Sequence, residues 1–304
     1  MKAVRTTEQI PGREMARSVQ ESFDVFHGWL VPTEAQRVSG ASHRASVKNA
    51  LEARLNVQNF FETGSFSHGT GVRNYSDIDV LVSLGGTKPS SSYTALTNVK
   101  SALEARFPLT TIEIRRPAVV VKFAGGYETW EVIPGFNTGR QSGSHLVYEI
   151  PGPASGDPYI ESAPKAHLAY VNECNETPTQ GKAKRLARFI KAWKYYRNVP
   201  ISSFYLEMRC AQHVRGLESY IDVWDVCLLL EKLRDHSLAD MNDPAGVVSR
   251  IKPCSSTANH TDALSKVTTA ATRARNALEA HRAGRTDDAF YYLNLLFAGR
   301  FPSR

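Results

Sequence analysis

The 304 residues hold only four cysteines, Cys174, Cys210, Cys227 and Cys254, and no two of them form a C-x-x-C pair. That scarcity argues against a disulfide framework and leaves reduced, structural thiols in a cytoplasmic protein as the expectation. No apolar stretch follows Lys2 and Arg5, and no run reaches the ~18 apolar residues of a membrane span, so neither a leader nor a membrane partner is expected. No Gly-Lys-Ser/Thr follows the glycines, which excludes a P-loop. Internal repeats and zinc-ligand clusters are missing as well. Acidic charge is in short supply: 30 Asp and Glu stand against 37 Lys and Arg, for a net charge of +7 and a pI near 9.2. The surplus favours anionic partners, whether nucleoside triphosphates, nucleic acid or acidic surfaces, without choosing among them.

What is present is concentrated in Phe61 to Val82. Gly64-Ser65 opens a polar, glycine-bearing turn, and Asp77-Ile78-Asp79 heads the apolar run that ends at Val82. In an extended segment side chains alternate, so Asp77 and Asp79 share one face while Ile78, Val80 and Val82 share the other. Adjacent carboxylates repel, and a hard divalent cation relieves the repulsion. A Gly-Ser turn offers N–H groups and a hydroxyl to a phosphate. The competing reading is a surface hairpin with an acidic edge.

In chain order, spacing predicts helices from about Arg13 to Leu30, from Thr33 to Leu55 with interruptions, and from Tyr93 to Arg106. Three β-like runs follow, Thr110 to Arg116, Ala118 to Phe123 and Thr129 to Pro134, with Gly125-Gly126 as a hairpin turn between the last two. Helix, strand, helix and meander imply an α+β fold with a mixed sheet. Gly135 to Tyr148 suits a mobile flap or a solvated loop. Pro151 to Pro158 suits a crossing between residues 1–150, a sheet-bearing core lobe, and residues 151–304, a helical lobe. Leu186, Phe189, Ile190 and Trp193 give the helix of Lys182 to Arg197 one apolar stripe, opposite Lys184, Arg188 and Lys191 with Lys194 at the flank. Ser202-Ser203-Phe204 opens the next helix, whose N–H groups favour phosphate. Within Trp130-Glu131-Val132-Ile133-Pro134 a lone carboxylate stands in an apolar strand.

The Gly-Ser turn followed by Asp-Ile-Asp on a strand resembles the signature of the DNA polymerase β-like nucleotidyltransferases. Three stretches in order, Gly64 through Asp79, Trp130 to Pro134, and Arg188 to Lys194 with Ser202 to Glu207, extend the likeness, as does the ending from Asp288 to Pro302. Together they resemble the bacterial cGAS/DncV-like nucleotidyltransferases (CD-NTases). The resemblance implies a bilobal, monomeric enzyme with its active site in the cleft. It would join nucleoside triphosphates into a cyclic di- or oligonucleotide that reaches a downstream effector in anti-phage (CBASS) signalling, without needing nucleic acid. Gly64 and Ser65 would hold the β- and γ-phosphates, and Asp77, Asp79 and Glu131 would bind two Mg²⁺, with Mn²⁺ able to substitute. The family usually has aspartate where Glu131 stands, and Glu113 is the rival for third carboxylate. Lys191 and Ser203 would contact the triphosphate and Phe204 would stack on a base. Asn172 resembles a clade E position linked to uracil, implying use of UTP. The alternatives are a related transferase acting on tRNA, an antibiotic or a protein hydroxyl, and an inactive nucleotide- or RNA-binding module.

Overall fold

The computed structural model describes residues 18–123, 128–154, 156, 158–176, 179–248 and 250–304. The expected Gly125-Gly126 turn and the first residues of the first helix lie outside these. Helix α1 (Val19–Leu30) begins where the Ser18 hydroxyl accepts from the Glu21 N–H at 3.2 Å, an N-cap that satisfies a free amide of the first turn. Its buried stripe, Val19, Phe23, Phe26 and Leu30, packs among later helices. Helix α2 (Glu34–Glu52) is continuous, and Val47, Ala50 and Leu51 pack instead against the sheet.

Strand β1 (Val57–Thr63) leads through the one-turn helix α3 (Gly64–Ser67) toward β2 (Ile78–Leu84), and α4 (Ser92–Arg106) covers one face of the sheet. Strands β3 (Thr111–Arg115), β4 (Ala118–Phe123) and β5 (Glu128–Ser142) complete the order β1-β2-β5-β4-β3. The one parallel pair on this path, β2 with β5, aligns Asp79 with Glu131. Strand β5 runs past Pro134 to pair with β6 (His145–Pro151), so Gly135 to Tyr148 forms a hairpin rather than a flap. Strand β7 (Tyr159–Ser162) pairs with β6 in turn, so the chain leaves the sheet only after the Pro-Gly-Pro segment. On β2, Ile78, Val80 and Val82 enter the core under α2 and α4, while Leu81 packs on the other face with Tyr148 and Ile150. Asp79 shares that second face by alternation.

The rest is helical: α5 (Pro164–Glu176), α6 (Lys182–Tyr196), α7 (Ser203–Arg215), α8 (Asp222–Asp235), α9 (Thr257–Arg282) and α10 (Thr286–Leu296), with a small hairpin of β8 (Met241–Asn242) and β9 (Arg250–Ile251) before α9. Helix α9 starts at Thr257 because Ser256 caps it by accepting from the Asn259 N–H at 3.2 Å. Among the described residues no helix is long and apolar enough to cross a membrane.

Candidate active site

The register Thr63↔Asp79↔Glu131 across β1, β2 and β5 fixes the centre of the site. Directly after Thr63 the chain turns at Gly64, whose φ of +62° suits glycine. A Cβ there would stand 2.0 Å from Asp79 Oδ2, so the backbone can lie against the carboxylate only because the side chain is missing. Asp77 and Glu131 keep 40% and 23% of their side chains exposed and open the site to solvent.

The three carboxylates act on one another. Burial and then the Glu131 charge raise Asp77 to about 6, against the opposing pull of Arg115. Asp79 is raised well above the usual carboxylate range by burial, Glu131 and Asp77, in that order. Arg115, from β3, places its guanidinium on the Glu131 carboxylate and 3.5 Å from Asp77 Oδ2. This ion pair competes with a metal role for Glu131. It also puts a cation between two of the acids, which is the charge they attract. Among the described residues no three His, Cys, Asp or Glu side chains already form a closed metal-ligand set. The donor set itself, three carboxylates beside a bare backbone turn, two of them raised because their charges lack compensation, fits a hard divalent cation. Glu113 lies in the same cross-strand row but two strands beyond Glu131, through Val120, and is paired with Lys122 at 2.9 Å.

The helical elements approach from the other side. Lys191 is fully buried and donates to the Thr70 carbonyl at 3.1 Å, with Glu207 Oε2 3.5 Å away. Its ammonium is thus engaged inside the protein rather than beside Ser203. Lys194 is the lysine that donates to Ser203 Oγ, at 2.5 Å, and among the described residues it has no carboxylate partner. Burial and then the charge of Lys191 lower it to about 8. Tyr195 brings its hydroxyl within 3.4 Å of the same Ser203 Oγ and stacks on Tyr75 with ring centroids 4.9 Å apart. The flank position of Lys194 on the helical wheel was the sequence signal for it; Tyr75 and Tyr195 carried none.

Ser202 caps α7, accepting from the Tyr205 N–H at 3.2 Å, and so presents Ser203 and Phe204 at the helix start. Phe204 is half-buried, with an edge contact to His167 at 4.9 Å. Asn172 on α5 accepts from Lys184 Nζ at 2.7 Å through its Oδ1. Gly64 and Ser65 therefore adjoin Asp77, Asp79 and Glu131, and Ser203 gathers Lys194 and Tyr195, whereas Lys191 and Asn172 are each engaged by a neighbour.

Residues 17–175, more than half of the chain, match the family model described as Second Messenger Oligonucleotide or Dinucleotide Synthetase domain, SMODS. The chain belongs to the SMODS family. It is accordingly a nucleotidyltransferase with a polymerase β-like α+β fold. Solved structures share that fold. CdnC of E. coli MS115-1, in complex with HORMA-deltaN, has a TM-score of 0.75 at 16% identity, over 95% of this chain and 99% of CdnC. CdnG of Bradyrhizobium diazoefficiens, in complex with GTP, gives 0.72 at 14% identity over 92% and 96%. The CdnE cyclic dinucleotide synthase of Elizabethkingia meningoseptica, with GTP and Apcpp, gives 0.61 at 19% over 82% and 96%. No curated protein matches the sequence.

Proposed function

We propose that this SMODS protein joins nucleoside triphosphates into a cyclic di- or oligonucleotide second messenger for an effector in anti-phage signalling. The observation that carries the reading is the convergence of Asp77, Asp79 and Glu131 against the bare Gly64 backbone. GTP in CdnG, and GTP with Apcpp in CdnE, support triphosphates as substrates.

Asp77, Asp79 and Glu131 would hold two Mg²⁺, which when bound supply neutralisation of triphosphate charge and activation of the attacking hydroxyl. The residues of the chain do the rest. The Gly64–Ser65 turn lets the triphosphate lie close to the backbone, and the Ser65 hydroxyl adds a donor. Lys194 and Ser203 meet the phosphates from the helical side, while Lys191 braces the loop behind the turn. The half-exposed ring of Phe204 offers a base a stacking face, worth ~1–3 kcal/mol whatever the base. Asn172 spends its carbonyl on Lys184, which leaves its amide as the group that would donate to a base carbonyl in the proposed use of UTP.

Incubation with all four NTPs and Mg²⁺, followed by mass spectrometry, is expected to yield a phosphatase-resistant product. Asp77→Ala, Asp79→Ala and Glu131→Ala should each abolish it, and Glu113→Ala should not. A linear product, or none, overturns the cyclisation reading; transfer seen only after adding tRNA, an aminoglycoside or a protein acceptor points to a different transferase.

A further inference from the structure

We infer that Glu207 is a positioning residue: from α7 its carboxylate sets where the Gly64–Ser65 turn stands, an inference that rests on that turn receiving the triphosphate. Glu207 is 3% exposed. His68 Nδ1 donates to its Oε1, and the Thr70 hydroxyl donates to its Oε2 at 2.5 Å. The same two residues are the backbone partners of the turn: the His68 N–H donates to the Gly64 carbonyl at 2.9 Å, and the Thr70 N–H to the Ser65 carbonyl at 2.9 Å. Each turn residue is therefore two hydrogen bonds from one carboxylate in the helical lobe.

Packing alone does not call for such a group, because a buried carboxylate loses hydration that well-packed apolar residues would not need. Its donors explain its presence. Burial pushes Glu207 up, but Lys191, His68 and Thr70 more than offset this and hold it at about 2, so it is ionised throughout the neutral range. Lys191, 3.5 Å from Oε2, opposes the charge of Glu207, whose influence on a triphosphate is therefore geometric rather than a long-range field. The second ring nitrogen of His68, Nε2, is buried without a hydrogen-bond partner among the described residues. Glu207 is thus the group that orients the His68 ring. Because it sits on the helix that begins at Ser203, one rigid element carries a phosphate contact and also places the facing turn.

The test uses the full chain with Glu207→Gln, which keeps shape and removes charge, and with Thr70→Val and Thr70→Ser, which respectively remove and keep the hydroxyl. Amide hydrogen exchange, which needs no nucleotide, is expected to speed up about tenfold or more over residues 64–71 in Glu207→Gln and Thr70→Val, with α9 unchanged. The preference for binding ATP over AMP should fall about tenfold in both variants and recover in Thr70→Ser, whereas general destabilisation would weaken both nucleotides together. Unchanged exchange at 64–71, or an equal rise in α9, overturns the inference. A wild-type protein that binds no NTP overturns the functional reading instead, and the exchange result still decides whether Glu207 holds the turn.

Discussion

At the scale of single residues, the acidic centre stores repulsion that a cation releases. Asp77 stands at about 6 against an ordinary value of 3.8, so folding disfavours its ionised form, and this instability grows as pH rises from about 4 through 6. Asp77→Asn should raise the metal-free melting temperature at pH 7.5, by on the order of 1 kcal/mol of stability after discounting for its exposure, and should flatten the pH dependence. Mg²⁺ should stabilise the wild type and leave that variant nearly unmoved. Lys194 gives a second titration. Lowered to about 8, it is partly neutral in mild base, so triphosphate Kd should be flat below pH 8 and weaken about tenfold per unit above it; Lys194→Met should lose the slope. Gly64→Ala puts a Cβ 2.0 Å from Asp79 Oδ2 at a φ of +62°, and should cost at least about a hundredfold in turnover while circular dichroism stays native. Strand alternation put Asp77 and Asp79 on one face in sequence, and a lone carboxylate in an apolar strand marked Glu131, whose role followed from the family resemblance. Helical spacing put Lys191 in the basic stripe and Lys194 at its flank, but it could not tell which of the two meets Ser203, because that depends on Thr70 and Glu207 engaging Lys191.

At the scale of elements, β5 organises the site. It pairs in parallel with β2, antiparallel with β4, and then beyond Pro134 with β6. Composition concealed that length: Gly135, Gly139 and Gly143 read as a loop, yet Phe136, Val147 and Tyr148 are buried and hold the hairpin to the sheet. The start of α7 depends on one hydroxyl. Ser202→Ala removes the bond to the Tyr205 N–H and should cost ~1 kcal/mol in urea unfolding, with a larger proportional loss of nucleotide affinity, since Ser203 and Phe204 are set by that cap. Helix α7 ends at Gly216 and α9 just before Gly284, stops that glycine alone signals, whereas the start of α9 depends on choosing among several hydroxyls near Thr257.

At the scale of the whole molecule, the loop between the Gly64–Ser65 turn and the aspartates is held from several directions. Arg188 donates to the Gly69 and Gly71 carbonyls, and Arg73 to those of Gly28 and Val31 at the end of α1. Arg300, near the end of the chain, donates to the Tyr75 hydroxyl at 2.8 Å. Long-range contacts of this kind leave no periodicity in sequence, which is why the candidate site could be picked out there and its bracing could not. Phe26, 1% exposed among Phe189, Phe297 and Phe301, ties α1 into this frame. Phe26→Ala should cost about 3–5 kcal/mol in denaturant unfolding and loosen amide protection at residues 70–76, whose Val72 shares its cluster. The span of the Glu207 bonds has a consequence for how the protein comes into being. His68 and Glu207 are 139 residues apart, so the turn cannot be placed until α7 has been synthesised and has docked. A nascent chain that already carries Asp77, Asp79 and Glu131 would be inert, and a refolding chain should regain turnover with its last kinetic phase rather than with the formation of its sheet.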